Sequence, residues 1–303
     1  MHPRLSDREL MNIGADKPKG KTAFVINPAA GETMPQLTWQ THPTRGHPNG
    51  VQYLTARFSL PRQRWGHNAR LPQSQADIFA GLGIAADAIY RATGRVFNPL
   101  TANVTGVDYA MDFNVGAERV RPILDCLELR QLPRHKRHRE DHGVVYRQRQ
   151  SSIQIYAKHI EVRQQMEKGH LKPELQIDAL QSSDGVLRVE YRQILPAVER
   201  SQTRQGLTRT ASDVLTADAS HRIITDVLDK LQFADAVDNA ETDHKLLRLI
   251  DFHGMKAAMR LVGFLSMVKA FGVDFWRVTD YDRRTYYDQL RLCRNAGVWT
   301  VDK

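Results

Sequence analysis

Apolar positions in this chain recur at two spacings, and the spacing changes near residue 200. Before that point, alternation with a period of two is frequent. Residues 50–60 (GVQYLTARFSL), 103–114 (NVTGVDYAMDFN), 144–149, 151–156 (SSIQIY) and 186–194 (VLRVEYRQI) each predict a strand. Shorter strands are expected at 21–26 and 36–40, between breakers such as Pro18, Pro28, Pro35 and Pro43. Pro61 is expected to end the ladder of the 50–60 strand, because it has no N–H to donate. Helical spacing predicts helices over 73–94, 121–130 and 158–168, the first closed by Gly94. In the 103–114 strand Val107, Tyr109, Met111 and Phe113 share one face, and Asp108 and Asp112 share the other. From Thr210 to Val301 strand alternation nearly vanishes and helical patterns repeat, with Asp213, Asp218, Asp280 or Asp282 as caps. The chain therefore reads as α+β in three parts: 1–49 with short strands, 50–200 as an α+β core, and 201–303 as a helical region.

Composition narrows the class. With 303 residues, 41% hydrophobic and 25% charged, the chain is long enough to bury a core and too apolar for wholesale disorder. No run approaches eighteen apolar residues, and the N-terminus (MHPRLSDREL) lacks a signal-peptide core, so a cytoplasmic protein without a membrane partner is expected. Cys126 and Cys293 alone support neither a disulfide framework nor a Cys-rich metal site. The charge is more telling: 43 Lys and Arg against 34 Asp and Glu give +9, which points to a polyanionic partner, most often nucleic acid.

That charge is densest in RQLPRHKRHREDHGVVYRQR, which carries Arg130, Arg134, Lys136, Arg137, Arg139, Arg147 and Arg149 against only Glu140 and Asp141. Such a segment suits a loop or hairpin arm that tracks a DNA backbone; the alternative is a solvated surface loop. His135, His138 and His142 lie in it, but cationic neighbours argue against zinc there.

The segment after it, SSIQIYAKHIEVRQQM, holds the most informative chemistry. Its strand ends at Tyr156, and Lys158 and Glu161 follow within about a turn. A phenol with pKa near 10 is a poor nucleophile at neutral pH and needs cations beside it and a metal to polarise the target phosphate. Lys158 supplies one positive charge, while Asp108 and Glu190 are strand carboxylates suited to a hard cation. Taken singly, Asp108 and Glu190 read equally well as surface charges, and Tyr156 as a packed strand aromatic.

The ordered set is more specific than its parts. YAKHIEVRQQ followed by GVLRVEYRQI resembles the tyrosine-bearing and following acidic segments of the filamentous-phage gene II type replication initiators, within the phage/plasmid replication proteins. LPRQRWGHNAR, with Gly66, His67 and Asn68, and TGVDYAMDF resemble two upstream segments of that family. MRLVGFLSMVKAFGVDFW and RRTYYDQLRLCRNAGV resemble its helical C-terminal region. The five segments keep the family order from about Gly50 to Val298, and the match departs over residues 1–44.

The resemblance implies an antiparallel-sheet nickase core followed by helices, in a rolling-circle initiator that nicks one origin strand and later rejoins the displaced one. It maps the family tyrosine onto Tyr156 and its neighbouring lysine onto Lys158. It implies Mg²⁺ or Mn²⁺, with Asp108 and Glu190 as first ligands and Glu161 or His67 completing the set, since no His-x-His occurs. Its implied partners are double-stranded origin DNA, the displaced single strand, and a host helicase and polymerase. No Walker-type phosphate loop is present to do the energy-consuming work. A homo-oligomer on DNA is compatible with this picture. The competing readings are a non-catalytic DNA-binding regulator of the same fold, and a basic regulator with a helix-turn-helix near 283–298.

Overall fold

The computed structural model describes residues 24–27, 34–44, 47–271, 275–277, 279 and 281–299. Positions 21–23 of the first expected strand and the Asp280 cap lie outside them. Among the described residues the architecture is α+β, as the patterning predicts, with two antiparallel sheets.

The first sheet joins β1 (Phe24–Ile26), β2 (Gln36–Thr44) and β3 (His47–Arg57) in chain order. Leu37 and Trp39 of β2 are buried with Ile89 of α2 (Gln75–Thr93). The β2–β3 hairpin crosses the division expected at residue 50, so the front of the chain belongs to one sheet with the 50–60 strand. Pro61 ends that ladder by opening a helix that the strand pattern concealed. It stands in the first turn of α1 (Leu60–Trp65), where a missing N–H costs nothing, behind the Ser59 cap.

The second sheet has the order β4-β8-β7-β6-β5: β4 (Gly106–Asn114), β5 (Lys136–Glu140), β6 (Gly143–Arg147), β7 (Ser151–Ala157) and β8 (Val186–Ile194). Consecutive hairpins join β5, β6 and β7. The β7–β8 connection carries α4 (Lys158–Glu167) and α5 (Pro173–Ser183), the latter not foreseen from the sequence.

Register separates the two faces of this sheet. Tyr109 stands opposite Tyr191 and Met111 opposite Val189, while Ile153 and Ile155 continue that apolar side across β7. α3 (Ala117–Leu129) covers it with Ile123, Leu124 and Leu127. The remaining cover comes from beyond residue 200. α8 (Ala217–Leu231) contributes Val227 and Leu231, and α9 (Phe233–His253) contributes Phe233, Ala236 and Ala240. The division expected at residue 200 therefore runs through a single core, because an apolar sheet face must be covered and residues 50–200 supply only part of the cover.

Two more helices complete that side. α6 (Leu195–Thr203) and α7 (Ala211–Val214) bury Val198 and Val214 beside Tyr109, whose hydroxyl donates to the Val214 carbonyl. The far end of α9 packs with α10 (Met255–Phe271) and α11 (Arg283–Asn295) in a separate cluster around Leu261, Phe264, Tyr286 and Cys293. Asp282 caps α11, accepting from the Thr285 N–H at 2.7 Å. Thr216, rather than Asp218, caps α8.

Candidate active site around Tyr156

The other face of the five-stranded sheet is polar, and the same register assembles it. Tyr156 pairs with Arg188, Gln154 with Glu190, Ala110 with Glu190 and Asp112 with Arg188. Residues paired across an antiparallel ladder project to one side, so Tyr156, Arg188, Glu190 and Asp112 meet on that face.

Arg188 is the anchor. Its side chain is almost wholly buried and forms a bidentate pair with Asp112, Nε to Oδ1 at 2.6 Å and Nη2 to Oδ2 at 2.7 Å. It also donates to the carbonyls of Asn68 at 2.6 Å and Ala69 at 3.3 Å. Burial works against its charge, but the Asp112 hydrogen bonds and carboxylate more than offset this, and its pKa lies above the ordinary arginine value.

The Asn68 and Ala69 carbonyls reach Arg188 through a turn whose residues had signalled themselves in the sequence. Gly66 closes α1 at φ +79, a conformation that disfavours any side chain, and a Cβ there would stand 2.6 Å from Leu175 Cδ1. His67 then turns inward. Its Nδ1 accepts from the Ala69 N–H at 3.1 Å, and Nε2 contacts Asp178 of α5 at 2.9 Å. The His67 hydrogen bond, aided by Arg70, holds the Asp178 carboxyl below the usual range. His67 thus fixes the turn, with both ring nitrogens engaged.

Tyr156 is nearly buried and donates its hydroxyl to Glu190 Oε1 at 2.6 Å. Burial, then the Glu190 charge, pushes its pKa well above the usual value, with Arg188 opposing. Opposite it on β6 stands Gly143. A Cβ at that position would come within 2.6 Å of Tyr156 Cβ, so only glycine leaves the tyrosine its place. The His142 ring meets the tyrosine ring edge-on at 5.9 Å, and its Nδ1 is buried without a hydrogen-bond partner.

Lys158 opens α4 and is fully buried. Its Nζ donates to Glu161 Oε2 at 2.6 Å and lies 5.7 Å from the Tyr156 ring centroid. Burial, with the neighbouring Arg188 charge, lowers its pKa to about 8, with Glu161 and Glu190 resisting. Glu161 is steadied from behind by Gln165.

The residues singled out from the sequence therefore divide. Tyr156, Lys158, Glu161 and Glu190 form one constellation. Asp108 stands further along β4 in a solvent-exposed bidentate pair with Arg192, both contacts at 2.7 Å, and His67 is bound to Asp178. Asp108 and His67 are thus not brought to that constellation, and no group of three or more His, Cys, Asp or Glu stands ready for a metal among the described residues. Of the four expected donors, Glu190 and Glu161 are the ones that stay beside Tyr156 and Lys158.

Arg188 and Asp112 were missed by sequence reasoning. The available signal was opposite charge at matching positions of two facing strands, legible only once the β4–β8 register is known.

The basic segment forms the β5–β6 hairpin, with β5 at the sheet edge. Several of its cations are tethered: Arg137 to the Glu128 and Arg130 carbonyls, Arg139 to Glu128 at 2.8 Å, Arg147 to Glu140 at 3.4 Å and Arg130 to Gln232 at 2.9 Å. Lys136 stays exposed on the edge strand, while Arg134 and Arg149 line a separate cleft.

No match to this chain came from comparison with protein-family models, curated proteins or solved structures. No described helix is long and apolar enough to cross a membrane.

Proposed function

We propose that this protein is a DNA-nicking and strand-rejoining enzyme of the rolling-circle initiator type, with Tyr156 as its nucleophile. The observation that carries the proposal is the 2.6 Å hydrogen bond from the Tyr156 hydroxyl to Glu190, flanked by the buried cations Lys158 and Arg188. A phenol needs a proton acceptor in contact and positive charge nearby to attack a phosphodiester, and both surround this hydroxyl.

In the forward step Tyr156 Oη bonds to phosphorus and the P–O3′ bond breaks. The phenolic proton passes to Glu190, and the departing 3′ oxygen takes up a proton to leave a free 3′ hydroxyl. The other product is a tyrosine ester of the 5′ phosphate. The reverse step rejoins the strand without ATP, because the ester retains the energy of the phosphodiester bond. Arg188, locked by Asp112, holds charge beside the oxygen as it turns anionic, and Lys158 adds a second charge through the tyrosine ring face.

Glu190 and Glu161 are the residues that would hold Mg²⁺ or Mn²⁺, which polarises a phosphoryl oxygen when bound. Asp108 is paired with Arg192 and His67 with Asp178, neither in contact with Tyr156 or Lys158, and both are left out of that role. The remaining surface cations of the β5–β6 hairpin would hold the duplex origin, and a host helicase and polymerase would act on the opened strand.

The test is covalent. The full chain is incubated with supercoiled origin DNA or a labelled single-stranded origin oligonucleotide and Mg²⁺, then resolved on a denaturing gel. The wild type is expected to yield a protein–DNA adduct, and Tyr156→Phe none. An adduct of equal yield in the Phe variant excludes Tyr156. A wild-type chain that binds DNA with no adduct would favour the non-catalytic regulator.

A further inference from the structure

On the reverse side of the same sheet lies a cleft. It sits at the opposite ends of the central strands from Tyr156, where β7 begins at Ser151 and β8 nears Gln193. Its volume is about 790 Å³. Six cations line it: Arg134 and Arg149 beside the β5–β6 hairpin, Arg200 and Arg204 from the end of α6, and Arg222 and Lys230 from α8.

The only acid in the lining is Asp226, and it is taken by Lys230. Among the described residues, the other five cations form no ion pair. Arg200 and Arg222 are instead held by the neutral amides of Gln150 and Gln205. Five uncompensated guanidinium groups around one concavity repel each other and focus a positive field, an arrangement that an anion relieves. Tyr191 and Ile223 give the cleft an apolar wall, and glutamine amides intersperse the cations.

Guanidinium forks, an aromatic face and amides together fit phosphate, base and sugar better than they fit a simple anion. The volume leaves room for a few nucleotides of one strand. We infer that this cleft is a binding site for single-stranded DNA, separate from the Tyr156 site. It rests on nucleic acid being the ligand of this protein but not on Tyr156 cutting it. A strand seated here lies on the other face of the sheet from the nucleophile, where it is held apart from the strand being cut.

The experiment is fluorescence anisotropy of a 5′-fluorescein-labelled dT12 with the full chain, across a series of salt concentrations. Wild type is expected to bind. Arg149→Gln/Arg200→Gln/Arg204→Gln is expected to lose at least about 30-fold in affinity. The slope of log affinity against log salt should become shallower by about 2, from three lost phosphate contacts at roughly 0.7 each. Arg149→Gln/Arg204→Gln removes no side-chain hydrogen bond found in the structure. It should shift the slope by about 1.4 while far-UV circular dichroism stays at wild type. Wild-type affinity and slope in both variants would overturn the inference. So would displacement of dT12 by a 12-base-pair duplex, or by inorganic tripolyphosphate, as effective as that by unlabelled dT12. The covalent adduct is read on the same preparations. Adduct without cleft binding removes this inference alone, and cleft binding without adduct removes the nicking proposal alone.

Discussion

The two faces of the five-stranded sheet are held by opposite physics. On the apolar face Ile155, Leu187 and Val189 are shut away against α3, α8 and α9, and no single contact there matters much. Stability on that face is roughly proportional to apolar area removed from water, so each side chain counts in small increments. On the polar face two full charges, Arg188 and Lys158, are buried as deeply as the aliphatics behind them. Burying a charge costs several kcal/mol unless it is paired, and so a few specific partners decide whether that face holds together. The face that carries Tyr156 is therefore the fragile one, and it is fragile at named atoms.

The largest expected effect is at Arg188. Arg188→Met removes the partner of Asp112 and strands the Asn68 and Ala69 carbonyls, which should cost about 3–5 kcal/mol in urea unfolding. Adding Asp112→Leu to that variant should recover part of the loss, because no carboxylate is then left unpaired. A single variant as stable as wild type would erase the distinction between the faces.

Next comes pH. Lys158 ionises at about 8 in the folded chain against 10.5 ordinarily, so between those values the unfolded chain binds the extra proton and stability rises with pH. The expected slope is on the order of 1 kcal/mol per pH unit between pH 8 and 10. Tyr156, whose pKa is raised, acts in the opposite sense only above its ordinary value near 10, where stability falls again. Lys158→Met should flatten the rise; urea midpoints at pH 7, 8, 9 and 10 read it directly.

On the apolar face the same kind of measurement should give less. Ile155→Val deletes one methylene from a site with no polar partner to orphan, and about 1 kcal/mol is expected. A loss rivalling that at Arg188 would mean that the two faces do not differ in the way their chemistry implies.

What the sequence revealed follows the same division. Period-two alternation located β4, β7 and β8, because a sheet with one face buried writes its register into the chain. Asp108 and Asp112 were correctly set on the polar side of β4, but the pattern had no means of separating them. One meets the buried Arg188 and the other the exposed Arg192 only through the β4–β8 register. Gly66, His67 and Asn68 entered through the family resemblance, with His67 as a metal-ligand candidate, and the chain pattern could not reveal a turn that delivers two carbonyls to a residue about 120 positions away. β5 was hidden by its composition: KRHRE has no apolar alternation, as suits an edge strand that solvent covers and charge protects from further pairing. The reverse cleft drew Arg200, Arg204, Arg222 and Lys230 from helices whose charges look like ordinary solvated faces along the chain.

The smallest effect sharpens the comparison most, because it concerns a carboxylate on the polar face that is not buried. Asp108 and Arg192 are both more than two-fifths exposed, and their bidentate contact is screened by water. Asp108→Asn keeps the side-chain shape, removes the charge, and should cost less than about 1 kcal/mol. Covalent adduct formation at low Mg²⁺ should stay at the wild-type level, whereas Glu190→Gln, which touches Tyr156 itself, should abolish it at any Mg²⁺ concentration. If Asp108→Asn instead raises the Mg²⁺ needed for half-maximal adduct by tenfold or more, then the arginine pair opens when DNA arrives. Asp108 would then join Glu190 at the phosphate, as the family resemblance implied.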